Sequence, residues 1–140
     1  MGKFIIYFLF LTCYCFGQIK TGVVIVDFVK VKNGRFTETM FYYENNWKLY
    51  REVALQKNYI TSYRILKTPA DSLAEFDLIL ITEYEDSTQY NVAEDRFNAI
   101  IKDLRPDGPV LLNDLKPGEF RQNLFGRHAV ILVDSLKKGK

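Results

Sequence analysis

The chain has 140 residues, 48% of them hydrophobic and 15% aromatic, with a formal net charge of +2. This balanced charge provides no electrostatic basis for binding nucleic acid or an anionic membrane. It has one histidine, His128, and its two cysteines, Cys13 and Cys15, lie near the amino terminus. Because the usual His and Cys ligand sets, a phosphate loop and a dinucleotide-binding glycine pattern are all absent, we expect no metal and no cofactor.

The first 17 residues predict an export signal. Residues 1–3 include a positive charge, and residues 4–16 are uncharged and almost entirely apolar. This run fits the core of a secretory signal and is shorter than the roughly 20 residues of a membrane-spanning helix. Small residues at Cys15 and Gly17 meet the requirements of signal cleavage, so we place the cut between Gly17 and Gln18.

Cleavage there would release residues 18–140 as a single domain into the periplasm or the medium. A domain of that size can bury a core without disulfides. Lys3 leaves with the signal, so the domain has a formal charge of +1. The alternative is a lipoprotein signal acylated at Cys13 or Cys15, which would anchor the protein to a membrane.

Two elements follow in chain order. Residues 21–32 predict a strand, because β-branched and aromatic residues dominate, and Asn33-Gly34 predicts a turn. Residues 35–57 predict a helix of roughly 34 Å. Its apolar residues recur at spacings of four and three, as one helical face requires: Phe36, Met40, Tyr43, Trp47, Tyr50 and Ala54.

The second half predicts a hairpin, a helix and a last strand. Residues 59–67 and 76–84 read as strands joined by a short connection. A helix is expected from Asn91, capped by that side chain with Glu94, to about Leu104. Residues 110–115 form a short apolar segment, and residues 127–136 predict the fourth strand.

The order β-α-β-β-α-β predicts a ferredoxin-like α+β fold, a four-stranded antiparallel sheet with two helices on one face. The first and third predicted strands are apolar on both sides. The face without helices therefore needs a cover, and a second copy of the chain is the simplest one. We expect a homodimer.

Several segments resemble dimeric α+β barrel proteins: residues 28–35, the long helix with Trp47-Lys48, and the Tyr63 strand leading to the next strand and helix. They resemble in particular exported proteins of Bacteroidetes-type genomes, whose signals often end in Phe-Gly-Gln, as here. That group also includes antibiotic-biosynthesis-type cofactor-independent monooxygenases and EthD- or NIPSNAP-like proteins. The resemblance implies a homodimeric barrel with a cavity between sheet and helices, and it implies no particular activity.

Two polar residues and one aromatic stripe are the candidate site. Asp27 interrupts the apolar first strand, so it should either pair with Arg or Lys or face a polar cavity. His128 could abstract a proton or be a half-exposed residue at a strand end. Met40, Tyr43, Trp47 and Tyr50, with Tyr63, could line a site for a flat apolar ligand or form the core.

Two functions follow from these candidates. The first is a non-catalytic small-molecule-binding or structural module. The second is a cofactor-independent enzyme, monooxygenase- or isomerase-like, in which Asp27 or His128 handles a proton and Trp47 and Tyr43 hold an apolar or aromatic substrate. We favour the first, because the sequence does not bring an acid, a base and an oxyanion site together.

Overall fold

The computed structural model describes residues 21–69 and 75–132. The predicted export signal, its cleavage site at Gly17 and Gln18, and the alternative acylation sites Cys13 and Cys15 lie outside the described residues. No helix in these two ranges is long and apolar enough to cross a membrane.

Four strands and two principal helices follow one another in the predicted order. The strands are β1 (Val23–Val31), β2 (Ser62–Lys67), β3 (Leu78–Tyr84) and β4 (Arg121–Val130). The long helix consists of α1 (Phe36–Tyr42), a π-helical turn (Tyr43–Trp47) and α2 (Lys48–Gln56), with helical backbone across both junctions. The other helices are α3 (Ser87–Asn91), α4 (Ala93–Leu104) and the short α5 (Pro117–Phe120).

The four strands form one antiparallel sheet in the order β2-β3-β1-β4. β1 and β3 are central, and β4 is an edge strand that pairs with β1 along its whole length, with a shift in register between Phe28 and Val29. This topology and the helices on one face of the sheet confirm the predicted ferredoxin-like α+β fold.

The core lies between the sheet and the long helix. Tyr43 and Trp47, 2% and 9% exposed, pack against Val29, Leu78 and Leu80 of the central strands. A second cluster, nearer the end of the long helix, brings α4 into the same layer; its buried residues are Val23, Tyr50, Ala54, Ile60, Tyr84, Ala93 and Ile100.

The opposite face of the sheet is also apolar. Alternate residues of the central strands are only partly buried there, among them Val26, Phe28 and Ile79. Two edge-strand residues on this face are exposed, Leu66 to 42% and Phe125 to 41%. The described helices pack on the other side, so this surface matches the one for which the sequence predicts a partner.

The predicted start of the last strand, at Arg127, is wrong, and residues 133–136 of the predicted range lie outside the described residues. β4 begins six residues earlier, at Arg121. The segment Arg-Gln-Asn-Leu-Phe-Gly lacks the apolar density of a buried strand, because an edge strand with exposed side chains does not need it. Pairing with the full length of β1 decides the strand's limits instead.

The second helical region also starts earlier than predicted. Asp86 caps α3, its Oδ1 accepting a hydrogen bond from the Gln89 backbone N–H at 2.9 Å. Asn91, the predicted cap, is the last residue of α3, and α4 follows Val92 with no side-chain cap. The Asn-x-x-Glu pattern is therefore not a capping box in this chain.

Replacing Trp47 by Ala tests the core assignment. A buried Trp truncated to Ala leaves a cavity, so we expect the free energy of unfolding to fall by about 3–5 kcal/mol in urea denaturation. Lys48→Ala is the matched control, since Lys48 is exposed and its contact with Glu52, 3.4 Å, lies on the surface. Equal stability of the two variants would contradict the assignment.

Candidate functional site

Asp27 occupies the middle of β1 on the side of the sheet that the helices cover. It lies opposite Leu80 of β3 and Gly126 of β4. Burial raises the pKa of its carboxyl above the ordinary value of 3.8, and the charge of Arg51 opposes that rise. Within residues 21–69 and 75–132, no hydrogen bond or salt bridge satisfies this half-buried carboxylate.

Gly126 leaves the space that the Asp27 carboxylate uses. A Cβ at position 126 would lie 2.7 Å from Asp27 Oδ1, closer than real Cβ contacts allow. Gly126 is exposed, as is His128 two residues further along β4 on the same side. We call this helix-side surface of Asp27, Arg121, Gly126 and His128 the β4 surface.

Arg51 of α2 places a buried cation beside the β4 surface. Its Nε donates to Thr82 Oγ1 at 3.0 Å, and its guanidinium carbon lies 3.7 Å from the centre of the Trp47 ring. Loss of hydration lowers the pKa of Arg51 to about 10, so the group stays charged at neutral pH. It is not within 4.0 Å of the Asp27 carboxylate, although each charge affects the pKa of the other.

Arg121 lies at one end of the β4 surface with two tyrosines. Its Nη2 donates to the Tyr42 hydroxyl at 3.1 Å and its Nη1 to the Tyr43 hydroxyl at 3.5 Å. The guanidinium carbon is 4.3 Å from the centre of the Tyr42 ring. Burial raises the pKa of Tyr43 to about 12, so this hydroxyl stays protonated at neutral pH.

Aromatic rings lie at the other end. The His128 ring centre is 4.9 Å from that of Tyr90, which in turn lies 5.4 Å from that of Tyr84. Burial also raises the pKa of Tyr84, against the charge of Arg51. The β4 surface thus runs from a cation, past a carboxylate, to a cluster of rings.

The structure brings some predicted ligand-binding residues together and separates others. Trp47 contacts Tyr43 and Tyr63 edge to face, with ring centres 6.5 and 5.9 Å apart, and Met40 packs on the same cluster. Tyr50 belongs to the second core cluster. These side chains form the interior of the domain, and their role toward a ligand stays a prediction.

Arg51 and Arg121 were not among the residues that the sequence singled out. Arg51 follows Trp47 by four residues, so the spacing places it on the flank of the aromatic stripe. That spacing was the available signal. Arg121 carried none, because its strand was not predicted to begin there.

Two further observations concern sites elsewhere. A separate cavity of about 250 Å³ lies beyond the end of α2, lined by Lys57, Tyr59, Asp95, Arg96, Ala99, Ile100 and Asp103. In the part of the chain that the structure describes, no group of three or more His, Cys, Asp or Glu residues could hold a metal ion.

No protein-family model matches the chain, and no curated protein matches it in sequence. Among solved structures it is similar to a candidate monooxygenase from Shewanella loihica PV-4, 15% identical over 83% of this chain and 97% of the other, with a TM-score of 0.47. It is also similar to a dimeric ferredoxin-like protein of unknown function from Thermobifida fusca YX, 9% identical over 81% and 93%, with a TM-score of 0.43.

A third similar structure is a candidate chlorite dismutase, 10% identical over 79% of this chain and 44% of the other, with a TM-score of 0.45. At these identities and TM-scores the likeness says nothing about activity. We assign the fold class from the strand order and register of this chain.

A double-mutant cycle tests the contact between Gly126 and Asp27. Gly126→Ala should lower the free energy of unfolding by roughly 1 kcal/mol, the low end for overpacking, because a carboxylate can rotate away. In the Asp27→Ala background the same change should be neutral or stabilising, as Ala normally is relative to Gly in a strand.

Gly118→Ala is the matched control, because a Cβ at that glycine meets nothing within 4 Å. Urea denaturation of the four variants and the wild type measures the coupling. If Gly126→Ala lowered the free energy of unfolding by the same amount in the Asp27→Ala background as in the wild type, the contact would be contradicted.

Because the pKa of Asp27 is raised, Asp27→Asn should stabilise the protein by an amount that depends on pH. The protonated carboxyl stabilises the native state below pH 3.8, and this contribution is lost as the pH rises through the raised pKa. Asn keeps the shape of the neutral acid, so the variant should be more stable than the wild type at pH 7 and no more stable at about pH 3. Urea unfolding at both pH values measures this, with the exposed Asp107→Asn as control.

Proposed function

We propose that the protein is an exported, non-catalytic module that acts as a homodimer and binds a small molecule with an apolar body on the β4 surface. The observation that carries this proposal is the Asp27 carboxylate, half-buried and without a hydrogen-bond partner in the described residues. Its oxygens are not among the fully buried atoms that lack a partner, so they are accessible at the surface, where a hydrogen-bond donor of a bound molecule can reach them.

The surroundings of Asp27 favour a ligand with an apolar body. The partly exposed ring of Tyr90 lies beside the exposed His128 ring on this side of the sheet, and aromatic rings with a few polar groups are typical of small-molecule sites. Gly126 is exposed and has no side chain, so the Asp27 carboxylate lies over it near the surface. Beneath this surface, the helix face formed by Met40, Tyr43 and Trp47 is packed as core.

A cofactor-independent enzyme is the second candidate function. The raised pKa of Asp27 favours it, because a carboxyl that holds its proton more tightly is a stronger base when ionised. His128 lies on the same side of β4, two residues from Gly126. Binding without chemistry remains our proposal, because an enzyme would need Asp27 and His128 to act on one substrate, and no contact joins these two side chains in the described residues.

The homodimer would cover the apolar outer face of the sheet. Phe28 lies on that face. Its ring contacts Phe76 edge to face, with ring centres 4.8 Å apart, and Phe125 at a tilt, with ring centres 4.6 Å apart. An apolar sheet surface of this kind is unfavourable in water and is usually buried against another subunit. Export and release before Gln18 would place the dimer in the periplasm or the medium.

Native mass spectrometry of the protein purified from its own host tests export, assembly and binding together. We expect a dimer of chains that begin at Gln18, with a retained small molecule that is lost in Gly126→Ala and kept in Gly118→Ala. Acylated chains at Cys13 or Cys15 would support the lipoprotein alternative instead. Wild-type dimers without any bound molecule would contradict the binding function.

The dimer interface has its own test. Ile79→Lys puts a charge on the outer face between Phe28 and Leu66, so sedimentation equilibrium should show the mass of one chain where the wild type shows that of two. Phe125→Lys repeats the test at the edge of the sheet if the first variant is unstable. Leu112→Lys, in an exposed loop position, is the control and should stay dimeric.

A further inference from the structure

Two cations lie on the helix side of the sheet. Arg51 and Arg121 both point into this layer, and neither forms a salt bridge with any described residue. Asp27 lies on β1 on this side of the sheet, and the Asp77 carboxylate accepts from the N–H of Val31, which pairs with Arg121. Neither carboxylate forms a salt bridge with Arg51 or Arg121, so both guanidinium groups remain available to an anion.

Arg121 has hydrogen-bonding capacity to spare. A guanidinium has five N–H groups, and those of Arg121 have two acceptors, both tyrosine hydroxyls, one of them at a long 3.5 Å. Its Nε is buried without a partner. The Nε of Arg105 is also buried without a partner, but the two acceptors of Arg105 are backbone carbonyls at 2.9 Å each, whereas those of Arg121 are tyrosine hydroxyls at 3.1 and 3.5 Å.

We propose that the small molecule bound on the β4 surface carries a carboxylate, and that Arg121 binds this group through its free Nη hydrogens. Arginine binds carboxylates through two parallel N–H groups, and such charge-assisted hydrogen bonds are the strong ones. This inference rests on the proposed function, since it names the chemical class of the ligand that the β4 surface takes.

Asp27 does not oppose an anion at this position. Arg121 pairs with Val31, four residues from Asp27 on β1, which is about 13 Å along a strand. Tyr43 lies between them, since its hydroxyl accepts from Arg121 and the charges of both groups affect its pKa. A carboxylate at Arg121 would leave the apolar body of the ligand to extend toward Asp27 and the rings beyond it.

Three probes of nearly the same shape test the charge of the ligand: 2-naphthoate, 2-naphthalenemethanol and 2-naphthylmethylamine. We expect isothermal titration calorimetry of the wild-type dimer to show 2-naphthoate binding at least about tenfold more tightly than the alcohol, the factor that one hydrogen bond to a charged group provides. The amine should bind more weakly than either.

Variants of two arginines on one strand locate the effect. Arg121→Met should remove the preference for naphthoate over the alcohol, and Arg121→Lys, which keeps the charge without the planar fork, should retain part of it. Arg127→Met is the matched control, because Arg127 lies on the outer face of β4 with its guanidinium over Phe125, and sedimentation equilibrium must first show that this variant is still a dimer. It should leave the preference unchanged.

The outcomes separate the two proposals. If the alcohol or the amine binds as tightly as naphthoate, or if the preference survives in Arg121→Met, the carboxylate inference is wrong while the binding site stands. If no probe binds and no molecule is retained from the host, the binding function fails with it. If Arg121→Met does not fold, Arg121→Lys takes its place, and a preference for naphthoate as large as that of the wild type would contradict the inference.

Discussion

The contact between the long helix and the central strands places every group of the candidate site. Tyr43 and Trp47 are held against Val29, Leu78 and Leu80 at the point where the helix passes through a π-helical turn. Tyr43, Asn46 and Trp47 are all buried in this turn, because residues three and four apart lie on the same face of a helix. The Asn46 side chain holds the loop at Val110. Its Oδ1 accepts from the Val110 N–H, and its Nδ2 donates to the Val110 carbonyl oxygen, at 2.8 Å each.

This packing explains why two cations lie beside an apolar core. One turn beyond Trp47, Arg51 lies over the indole ring and donates to Thr82 of β3. On the other side, Tyr42 and Tyr43 provide both the ring and the hydroxyls that hold Arg121. Aromatic faces make the burial of a guanidinium tolerable without a carboxylate partner, and this leaves both groups with hydrogen bonds to offer.

Sequence patterns located most elements because each has its own period. The helical stripe from Phe36 to Ala54 and the alternation of β3 are strong local signals, and the structure confirms both. The start of β4 was misplaced because its first three residues are polar and its limits depend on pairing with β1, which no local pattern records. The spacing of the aromatic residues showed that they share one face of a helix. Only the position of the sheet shows whether that face lines a cavity or packs as core.

The sequence by itself determined the order of the elements, the ferredoxin-like topology and Asp27 as a polar residue within an apolar strand. Period and turn residues are local properties, and they suffice for those conclusions. Only the tertiary structure decided which polar groups meet. Asp27 faces Gly126 across 99 residues of chain because the two strands pair, and Arg51 and Arg121 reach the same layer from a helix and an edge strand. Distances between residues so far apart in sequence are set by packing, which no stretch of sequence contains.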